Sequence, residues 1–465
     1  MKRDDQRACS LDIGLPQQHV PEKTTQPREK HPRMNILFLS HYFPPEVNAP
    51  ASRTYEHCKR WVAAGHSVTV ITCVPNCPNG VVFPPYRNVW RNEETVDGIR
   101  VIRVWTWLAA NKGFVSRIAN YVSYLINATL CTIRLKKIDV VVATSPQFFC
   151  GWAGVLCHWL RRWPFVLEIR DIWPESIVTV GAMRRSRVIR LLEWLELRMY
   201  RDADHIVTVG AGYRQQLLDR GVPAGKLSVI PNGVDCSQLD HPVDASELRQ
   251  QWASPHQTIC TYIGTIGMAH GLEVVLNAAT ILKQQDRSDI MFWIVGDGAE
   301  RERLQTAAAN RDLDNVRFTG MVAKEDVPQV IANSDCCLVH LKGTELFGTV
   351  IPSKIFEIMA QNVPIVMGVR GEALQIVLSA AAGVAMTPDD PESFIQGIDS
   401  ITSNKAHASN GRNYVNRFYN RDKLAAEMLK VLQTIVAPSA RDVEATPQAN
   451  PTSELAKSPI WRKSA

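Results

Sequence analysis

The sequence lacks the features that would place the chain across a membrane or outside the cytoplasm. Its first 33 residues are polar and contain no apolar segment like the core of a secretory signal. The two most apolar stretches, residues 114–135 and 138–160, are interrupted by arginine, asparagine, aspartate and proline, which disfavours a membrane-spanning helix. We therefore expect a globular protein of the cytoplasm.

Signals for metal sites and disulfides are missing as well. The 11 cysteines form no CxxC pair and no cluster with histidine, so we expect reduced, buried thiols rather than a zinc site or a disulfide framework. No Asp-x-Asp motif stands in surroundings that suit a hard cation. The sequence thus predicts no bound metal and no cofactor.

The two best-known phosphate-binding motifs are also missing. No GxGxxG sequence follows the first predicted strand, and GxxxxGK[ST] does not occur in the chain. This disfavours a dehydrogenase and a P-loop hydrolase. The formal net charge of +6 permits contact with anionic lipid or phosphorylated substrates, and we expect no nucleic-acid partner.

The chain does contain a repeated alternation of short apolar runs and amphipathic segments, which predicts an α/β protein. With 465 residues, of which 45% are hydrophobic, it is long enough for two domains with full cores. We expect a first βαβ domain over residues 34–225, a second over 226–412, and a final helix over 413–436. The polar ends, 1–33 and 437–465, are expected to be disordered.

The strongest functional signal lies in the segment from Thr344 to Gln361. It follows a buried strand, passes a turn at Gly348, and continues as a helix whose first turn holds Ser353 and Lys354. Free N–H groups at a helix start attract phosphate, and Lys354 adds a cation. Glu357, one turn later, is placed to accept hydrogen bonds from sugar hydroxyls. The alternative is an ordinary loop–helix junction with solvated charges.

Two glycine-rich loops in the second predicted domain form another signal. The sequence GTIGMAHG places Gly264, Gly267 and Gly271 after a strand, where the backbone can approach a diphosphate closely. His270 in the same loop can donate to phosphate, and a nearby dianion favours its charged form. Gly296 begins a similar loop, GDG, after the next strand.

Polar residues that follow other predicted strands are further candidates. Arg170 and Asp171 end an apolar strand, shortly before Glu175, at the sheet edge where ligands bind. Asp171 is a candidate for orienting an acceptor or taking its proton, and a salt bridge with Arg170 or a helix cap is the alternative. Asn48 either hydrogen-bonds a ligand or serves only a turn. The prolines of its loop predict that the next helix begins near Ser52. Glu372 either reaches the ligand or caps a helix.

These motifs, in this order and spacing, resemble those of the retaining, GT-B-fold glycosyltransferases of family 4 over residues 34–435. The motifs are PPE, RDIWPES, IPNGVD, GTIGMAHG, GDG and TVIPSKIFE. The last is similar to the form of a bacterial subgroup that makes surface polysaccharide such as O-antigen or exopolysaccharide. The departures from the wider family pattern are Asn48 and Ala49 for two glycines, Arg170 for histidine, Thr265 for arginine, His270 for lysine and Thr349 for glutamate.

The resemblance implies two Rossmann-like domains facing each other across a cleft, with a C-terminal helix crossing back to the first. It implies a retaining, metal-independent transfer of a hexose-type sugar from a nucleotide sugar, expected to be a UDP-sugar, to a saccharide or lipid-linked saccharide. The implied donor-binding residues are Asn48, Gly264, Thr265, Gly267, His270, Gly271, Gly296, Thr349, Ser353, Lys354 and Glu357. The implied catalytic residues are Asp171, Lys354 and Glu357, and those on the acceptor side are Arg170, Asp171 and Glu175.

Two further points follow from the residues and the resemblance. The replaced residues leave open a non-catalytic partner protein that keeps the fold and only assembles a polysaccharide complex.

A basic and aromatic face would allow peripheral contact with an anionic inner membrane, and a set of solvated charges is the alternative. The residues of that predicted face are Arg117, Lys136, Lys137, Arg161, Arg162 and Trp163.

Overall fold

The computed structural model describes residues 32–77, 79–108, 114–145, 148–172, 187–239, 249–250, 252–254, 256–403 and 410–437. The two ends expected to be disordered lie almost wholly outside these ranges. Within the described ranges, the strands form two separate sheets, one with eight strands and one with six. The predicted α/β class is confirmed.

The first sheet has the strand order β3-β4-β2-β1-β5-β6-β7-β8, and only the β3–β4 pair is antiparallel. Its strands are β1 (Asn35–Leu39), β2 (Ser67–Cys73), β3 (Arg91–Val96), β4 (Ile99–Val104), β5 (Val140–Thr144), β6 (Phe165–Ile169), β7 (His205–Thr208) and β8 (Leu227–Val229). Because β8 pairs with β7, this sheet extends past the predicted domain boundary between residues 225 and 226.

Helices cover both faces of the first sheet. They are α1 (Ala49–Ala63), α2 (Phe114–Ile133), α3 (Phe148–Arg161), α4 (Arg187–Asp202) and α5 (Ala211–Asp219). On one face, α2 to α5 share a core that includes Tyr124, Cys157 and Met199. On the other face, α1 packs beside the last helix of the chain through residues such as Trp61 and Met428.

The second sheet is fully parallel, with the order β11-β10-β9-β12-β13-β14. Its strands are β9 (Thr258–Ile263), β10 (Ile290–Val295), β11 (Val316–Gly320), β12 (Cys336–His340), β13 (Ile365–Gly368) and β14 (Gly383–Ala385). The remaining helices are α6 (Glu273–Gln284), α7 (Arg301–Asn310), α8 (Val327–Ala332), α9 (Lys354–Ala360), α10 (Glu372–Ser379), α11 (Pro391–Ser403), α12 (Gly411–Phe418) and α13 (Arg421–Val436). This strand order is that of a doubly wound dinucleotide-binding sheet.

Two local predictions were wrong. Strand β3 was missed because its sequence, RNEETV, is polar: it is an antiparallel edge strand whose residues are exposed or half-buried. Helix α1 begins at Ala49 rather than near Ser52. Asn48 caps it, since its Oδ1 accepts a hydrogen bond from the Ala51 N–H at 2.9 Å, and Pro50 fits the first turn.

Two chain segments join the sheets, and they lie against each other. The Val234 N–H donates to the Tyr419 carbonyl oxygen at 2.9 Å. A Cβ on Gly233 would lie 2.3 Å from the same oxygen, which explains the glycine in IPNGVD. Helix α13 then packs on α1, where Trp61 Nε1 donates to the Ala425 carbonyl oxygen at 3.0 Å. The predicted crossing of the C-terminal helix onto the first domain is confirmed. The single helix predicted over 413–436 is wrong, because α12 ends at Phe418 and a second helix, α13, begins after the N-cap Asn420 and makes the crossing.

Beside this connection lies a buried ion pair between α1 and β6. Arg53 Nε donates to Glu168 Oε1 at 2.8 Å, and the same guanidinium donates to the carbonyl oxygens of Ile230 and Pro231 at 2.8 and 2.6 Å. Burial alone would raise the pKa of Glu168, but the charges of Arg53 and Arg170 hold it at about 2. The pair is therefore charged at neutral pH. Its hydrogen bonds connect α1 to residues 230–231, which lead into the second domain.

Candidate active site

The strand orders locate the places where ligands are expected. In doubly wound sheets, ligands bind outside the carboxyl ends of the strands at which the order reverses. Those reversals lie between β1 and β5 in the first sheet and between β9 and β12 in the second. Asn48 follows β1, the GTIGMAHG loop follows β9, and Lys354 follows β12. These three parts of the predicted donor site therefore follow strands at the reversal points, whereas Gly296 follows β10.

Lys354 is a buried cation at the second of these points. Its Nζ lies 4.1 Å from the centroid of the Tyr262 ring and has no hydrogen-bond partner. Burial lowers its pKa to about 8, against smaller opposing effects of Cys337 and Glu357. A Cβ on Gly264 would lie only 2.8 Å from this nitrogen. An ammonium buried without a hydrogen-bonded counter-charge is costly, and an anionic ligand would supply that partner.

His270 contacts the same tyrosine, with 6.0 Å between the ring centroids. Its Nδ1 is buried without a hydrogen-bond partner, and burial together with the charge of Lys354 lowers its pKa to about 4. Before a ligand binds, the imidazole is therefore neutral at pH 7. Sequence analysis missed Tyr262, whose hydroxyl donates to the Thr265 carbonyl oxygen at 2.5 Å. Tyr262 could have been predicted as a site residue, because it is two positions before the first glycine of the loop.

The two glycine loops touch each other. A Cβ on Gly296 would lie 1.9 Å from the Gly264 carbonyl oxygen, and Gly296 has a φ of 135°. Packing between the loops thus requires this glycine, and its contact with a donor stays a prediction. Gly267 and Gly271 flank the short 3-10 turn that carries His270, so they set the position of its ring.

Ser353 and Glu357 flank Lys354 on α9. Ser353 is the N-cap residue, and its side chain makes no capping hydrogen bond. The Glu357 side chain is 42% exposed, and its carboxylate lies 3.9 Å from Arg421. It is therefore accessible to solvent beside a cation, and its contact with a ligand hydroxyl stays a prediction.

Glu372 and Thr349 bring the second domain against the first turn of α5. Glu372 Oε2 accepts a hydrogen bond from the Gly212 N–H at 3.1 Å, so this carboxylate caps a helix of the opposite domain. A Cβ on Gly212 would lie 3.4 Å from Thr349, and one on Gly210 would lie 3.0 Å from Ile351. Of the two alternatives for Glu372, the structure shows the cap, but on a helix that sequence alone does not place nearby.

Arg170 and Asp171 lie at the carboxyl end of β6. Nε and one terminal nitrogen of Arg170 are buried without a hydrogen-bond partner, and burial lowers its pKa to about 10. Ser145 Oγ accepts from the Arg170 N–H at 3.0 Å and donates to the Asp171 carbonyl oxygen at 3.4 Å. The charge of Asp171 adds to burial in raising the pKa of Tyr213 on α5. Glu175 lies outside the described residues.

Other possible site features are few in the ranges that the structure covers. The ten cysteines there are free thiols, and all but Cys77 are buried. No group of three or more His, Cys, Asp or Glu side chains in those ranges is arranged to hold a metal ion. Among the described helices, none combines the length and apolar character that crossing a bilayer needs.

Two doubly wound domains that are joined by paired connections and contact each other through Glu372 and Gly212 define a GT-B architecture. Two family models match it: residues 48–233 match the glycosyl transferase 4-like domain, and residues 244–418 match the glycosyl transferases group 1. The chain belongs to this glycosyltransferase family, family 4 of the GT-B fold.

Curated relatives are similar over long segments. A putative colanic acid biosynthesis glycosyl transferase, WcaI, from Escherichia coli K12 is 26% identical over 407 residues, which cover 85% of this chain and 99% of that protein. The probable glycosyltransferase WbjE from Pseudomonas aeruginosa is 26% identical over 277 residues, which cover 58% of this chain and 68% of that protein.

Solved structures confirm the predicted fold. Sucrose-phosphate synthase from Thermosynechococcus elongatus superposes with a TM-score of 0.69 at 18% identity, covering 88% of this chain and all of that one. Anabaena HepE, solved with UDP and glucose, gives a TM-score of 0.63 at 18% identity, covering 86% of this chain and all of that one.

Proposed function

We propose that this protein transfers a hexose-type sugar from a nucleotide sugar, with UDP as the carrier, to a saccharide or lipid-linked saccharide in the synthesis of surface polysaccharide. The observation that carries the proposal is the buried ammonium of Lys354, which has no hydrogen-bonded counter-charge and lies beside the glycine loop. The polysaccharide role draws on the name of WcaI, and the choice of UDP draws on the ligand of HepE. The reaction takes place at the cytoplasmic face of the inner membrane.

The chemistry of the leaving group fits these residues. When the bond between the sugar C1 and the diphosphate oxygen breaks, negative charge develops on the diphosphate. Lys354, the Nδ1 of His270 and the amides of the glycine loop are the groups available to stabilise that charge. Because a resident ammonium already faces this position, the proposed transfer needs no metal ion.

The remaining roles are assigned by position. Glu357, which is accessible, accepts hydrogen bonds from the ribose hydroxyls. Asp171 orients the acceptor hydroxyl or accepts its proton as the hydroxyl oxygen bonds to C1. The new bond forms on the face of the sugar that the diphosphate leaves, so the anomeric configuration is retained. The hydrogen bond between Glu372 and Gly212 keeps the domains together over the donor and excludes water.

A non-catalytic assembly partner is the second candidate. It is favoured by the use of the Asn48 side chain as a helix cap, because that amide was a predicted donor contact. Such a protein would keep the nucleotide pocket but transfer no sugar.

The test has two stages. A thermal-shift panel of UDP, GDP, ADP and dTDP identifies the nucleotide that stabilises the native state. Transfer from the matching nucleotide sugars is then assayed with membrane extracts, with and without EDTA, and NMR couplings report the anomeric configuration of the product. We expect UDP to stabilise the protein most, with transfer that retains configuration and survives EDTA. Stabilisation without any transfer would support the assembly partner.

The affinity for nucleotide should decrease as the pH rises above about 8. The pKa of Lys354 is about 8 in the free protein, and a bound diphosphate raises it, so binding at higher pH requires uptake of a proton. The Kd should then rise by up to about tenfold per pH unit. Calorimetry in buffers of different ionisation enthalpy measures both the Kd and the proton uptake. A wild-type Kd that stays constant up to pH 9.5 would contradict this assignment, and Lys354→Arg should be insensitive to pH.

A further inference from the structure

Three neighbouring helices on the first sheet leave large apolar side chains exposed. Helices α2, α3 and α4 share one core, Arg161 of α3 donates to the Leu135 carbonyl oxygen just after α2 at 2.8 Å, and Arg198 of α4 lies 5.7 Å from the Trp159 ring centroid of α3. The most prominent exposed residues, which we call the apolar stripe, are Leu130, Ile133, Trp159, Leu160, Leu191 and Trp194. Each of them is at least 43% exposed.

Helix α4 carries apolar residues on two sides, one buried and one exposed. It buries Ile189 and Met199 against the sheet and exposes Leu191 and Trp194 on its opposite side. A helix on the surface of a globular protein normally carries polar residues on the side that faces water. Exposed apolar residues on three neighbouring helices are typical of a surface that binds a partner or a membrane.

The charges around the apolar stripe are predominantly positive. Residues 114–138 and 148–164, which contain α2 and α3, include no aspartate or glutamate. Arg134, Lys136, Lys137 and Arg162 are exposed there. On α4, Glu196 pairs with Arg220 and Asp202 pairs with Arg198. The other charged residues of α4 are Glu193 and the exposed Arg187, Arg190 and Arg201.

We propose that the apolar stripe docks on the surface of an anionic lipid bilayer. Tryptophan and leucine side chains would enter the head-group region, and the flanking arginines and lysines would contact lipid phosphates. This combination suits a bilayer better than a second copy of the chain, because two copies would bring like charges together around the same apolar area. The proposal deepens the proposed function, which places the reaction at a membrane, but it depends on the exposed residues and not on the transfer itself.

The α4 part of the stripe lies nearest the candidate active site. Leu130, Ile133, Trp159 and Leu160 are at the ends of α2 and α3, which lead to the starts of β5 and β6 at the opposite sheet edge. Helix α4 returns the chain to the start of β7, which is parallel to β6. Its first turn therefore lies at the sheet edge that holds Arg170 and Asp171. A lipid-linked acceptor could then approach this edge while its lipid stays in the bilayer.

The structure corrects the face expected from the sequence. Trp163 is buried, with the Arg161 guanidinium 4.8 Å from its ring centroid, so it cannot enter a bilayer. The exposed aromatic side chains of the apolar stripe are Trp159 and Trp194, which the sequence did not single out.

Vesicle flotation with the full chain tests the proposal. Vesicles are made of phosphatidylcholine alone or with added phosphatidylglycerol. The apolar variant is Leu191→Ser/Trp194→Ser, and its control, Met321→Ser/Leu378→Ser, alters residues of the second domain that are 72% and 48% exposed. The charge variant is Arg134→Gln/Lys136→Gln, and its control, Lys423→Gln/Lys430→Gln, alters exposed lysines on α13, across the sheet.

We expect the wild type to bind only vesicles that contain phosphatidylglycerol. Binding should fall about tenfold or more in the apolar variant and about tenfold in the charge variant, and both controls should bind like the wild type. An unchanged melting temperature without ligand shows that each variant is folded. The proposal is overturned if the wild type does not float, if it binds neutral vesicles equally well, or if light scattering finds a dimer that only Leu191→Ser/Trp194→Ser dissociates.

Discussion

Replacing Lys354 with methionine should stabilise the ligand-free protein and nearly abolish its activity. Burial lowers the lysine pKa from 10.5 to about 8, which corresponds to about 3 kcal/mol of destabilisation of the charged form at neutral pH. Methionine fills a similar volume without a charge. We expect the free energy of unfolding to rise by about 1–3 kcal/mol and sugar transfer to fall by about 10²–10³-fold.

Urea unfolding at pH 7 and at pH 9.5 measures the stability effect. The folded-state pKa lies below the unfolded-state value, so the unfolded chain holds the Lys354 proton more tightly between about pH 8 and 10.5. As pH rises through this window, the free energy of unfolding of the wild type should therefore increase relative to that of Lys354→Met. Lys430→Met, at an exposed position, should change neither stability nor activity. If Lys354→Met is less stable than the wild type at pH 7, burial of the charged ammonium does not destabilise the folded protein.

Replacing Arg53 with methionine should strongly destabilise the first domain. It leaves the buried carboxylate of Glu168 without its main counter-charge and removes the hydrogen bonds to the carbonyl oxygens of Ile230 and Pro231. Breaking a buried ion pair from one side costs about 3–5 kcal/mol. We expect a loss of that size in urea unfolding at pH 7.

The double variant Arg53→Met/Glu168→Gln separates charge from hydrogen bonding. If the unpaired carboxylate causes the loss, the double variant should recover more than half of it. In the wild type, the pKa of Glu168 is held at about 2, so the stability from this pair is present above about pH 4.5 and is lost as pH falls toward 2. Equal instability of the single and double variants would assign the effect to the two carbonyl oxygens instead.

The sequence predicts the fold well where strands are buried on both faces. Runs such as 290–295 and 365–368 contain no polar side chain, as suits parallel strands between helix layers. Strand β3 could not be predicted this way, because an edge strand in water needs no apolar run. The start of α1 was also misjudged: the prolines before Ser52 suggested a delay, whereas Asn48 and Pro50 together begin the helix.

Some residues of the candidate site can be predicted from the sequence, and others cannot. Lys354 and the glycine loop could be found because their residues are close together in sequence or belong to a recognisable motif. Arg53 and Glu168 are 115 residues apart, and Gly212 and Glu372 are 160 apart, so each contact depends on how distant elements pack. Asn48 shows the opposite problem, because a residue in the right loop can be occupied by the local task of capping a helix.

The most direct test of the central claim is transfer of radiolabelled sugar from the nucleotide sugar into a lipid-extractable product. Wild-type protein and Lys354→Met are assayed side by side on the same membrane extract. The account predicts labelled product with the wild type and about 10²–10³ times less with the variant, although the variant remains folded. No product from the wild type with any nucleotide sugar that binds, or equal product from both proteins, would contradict it.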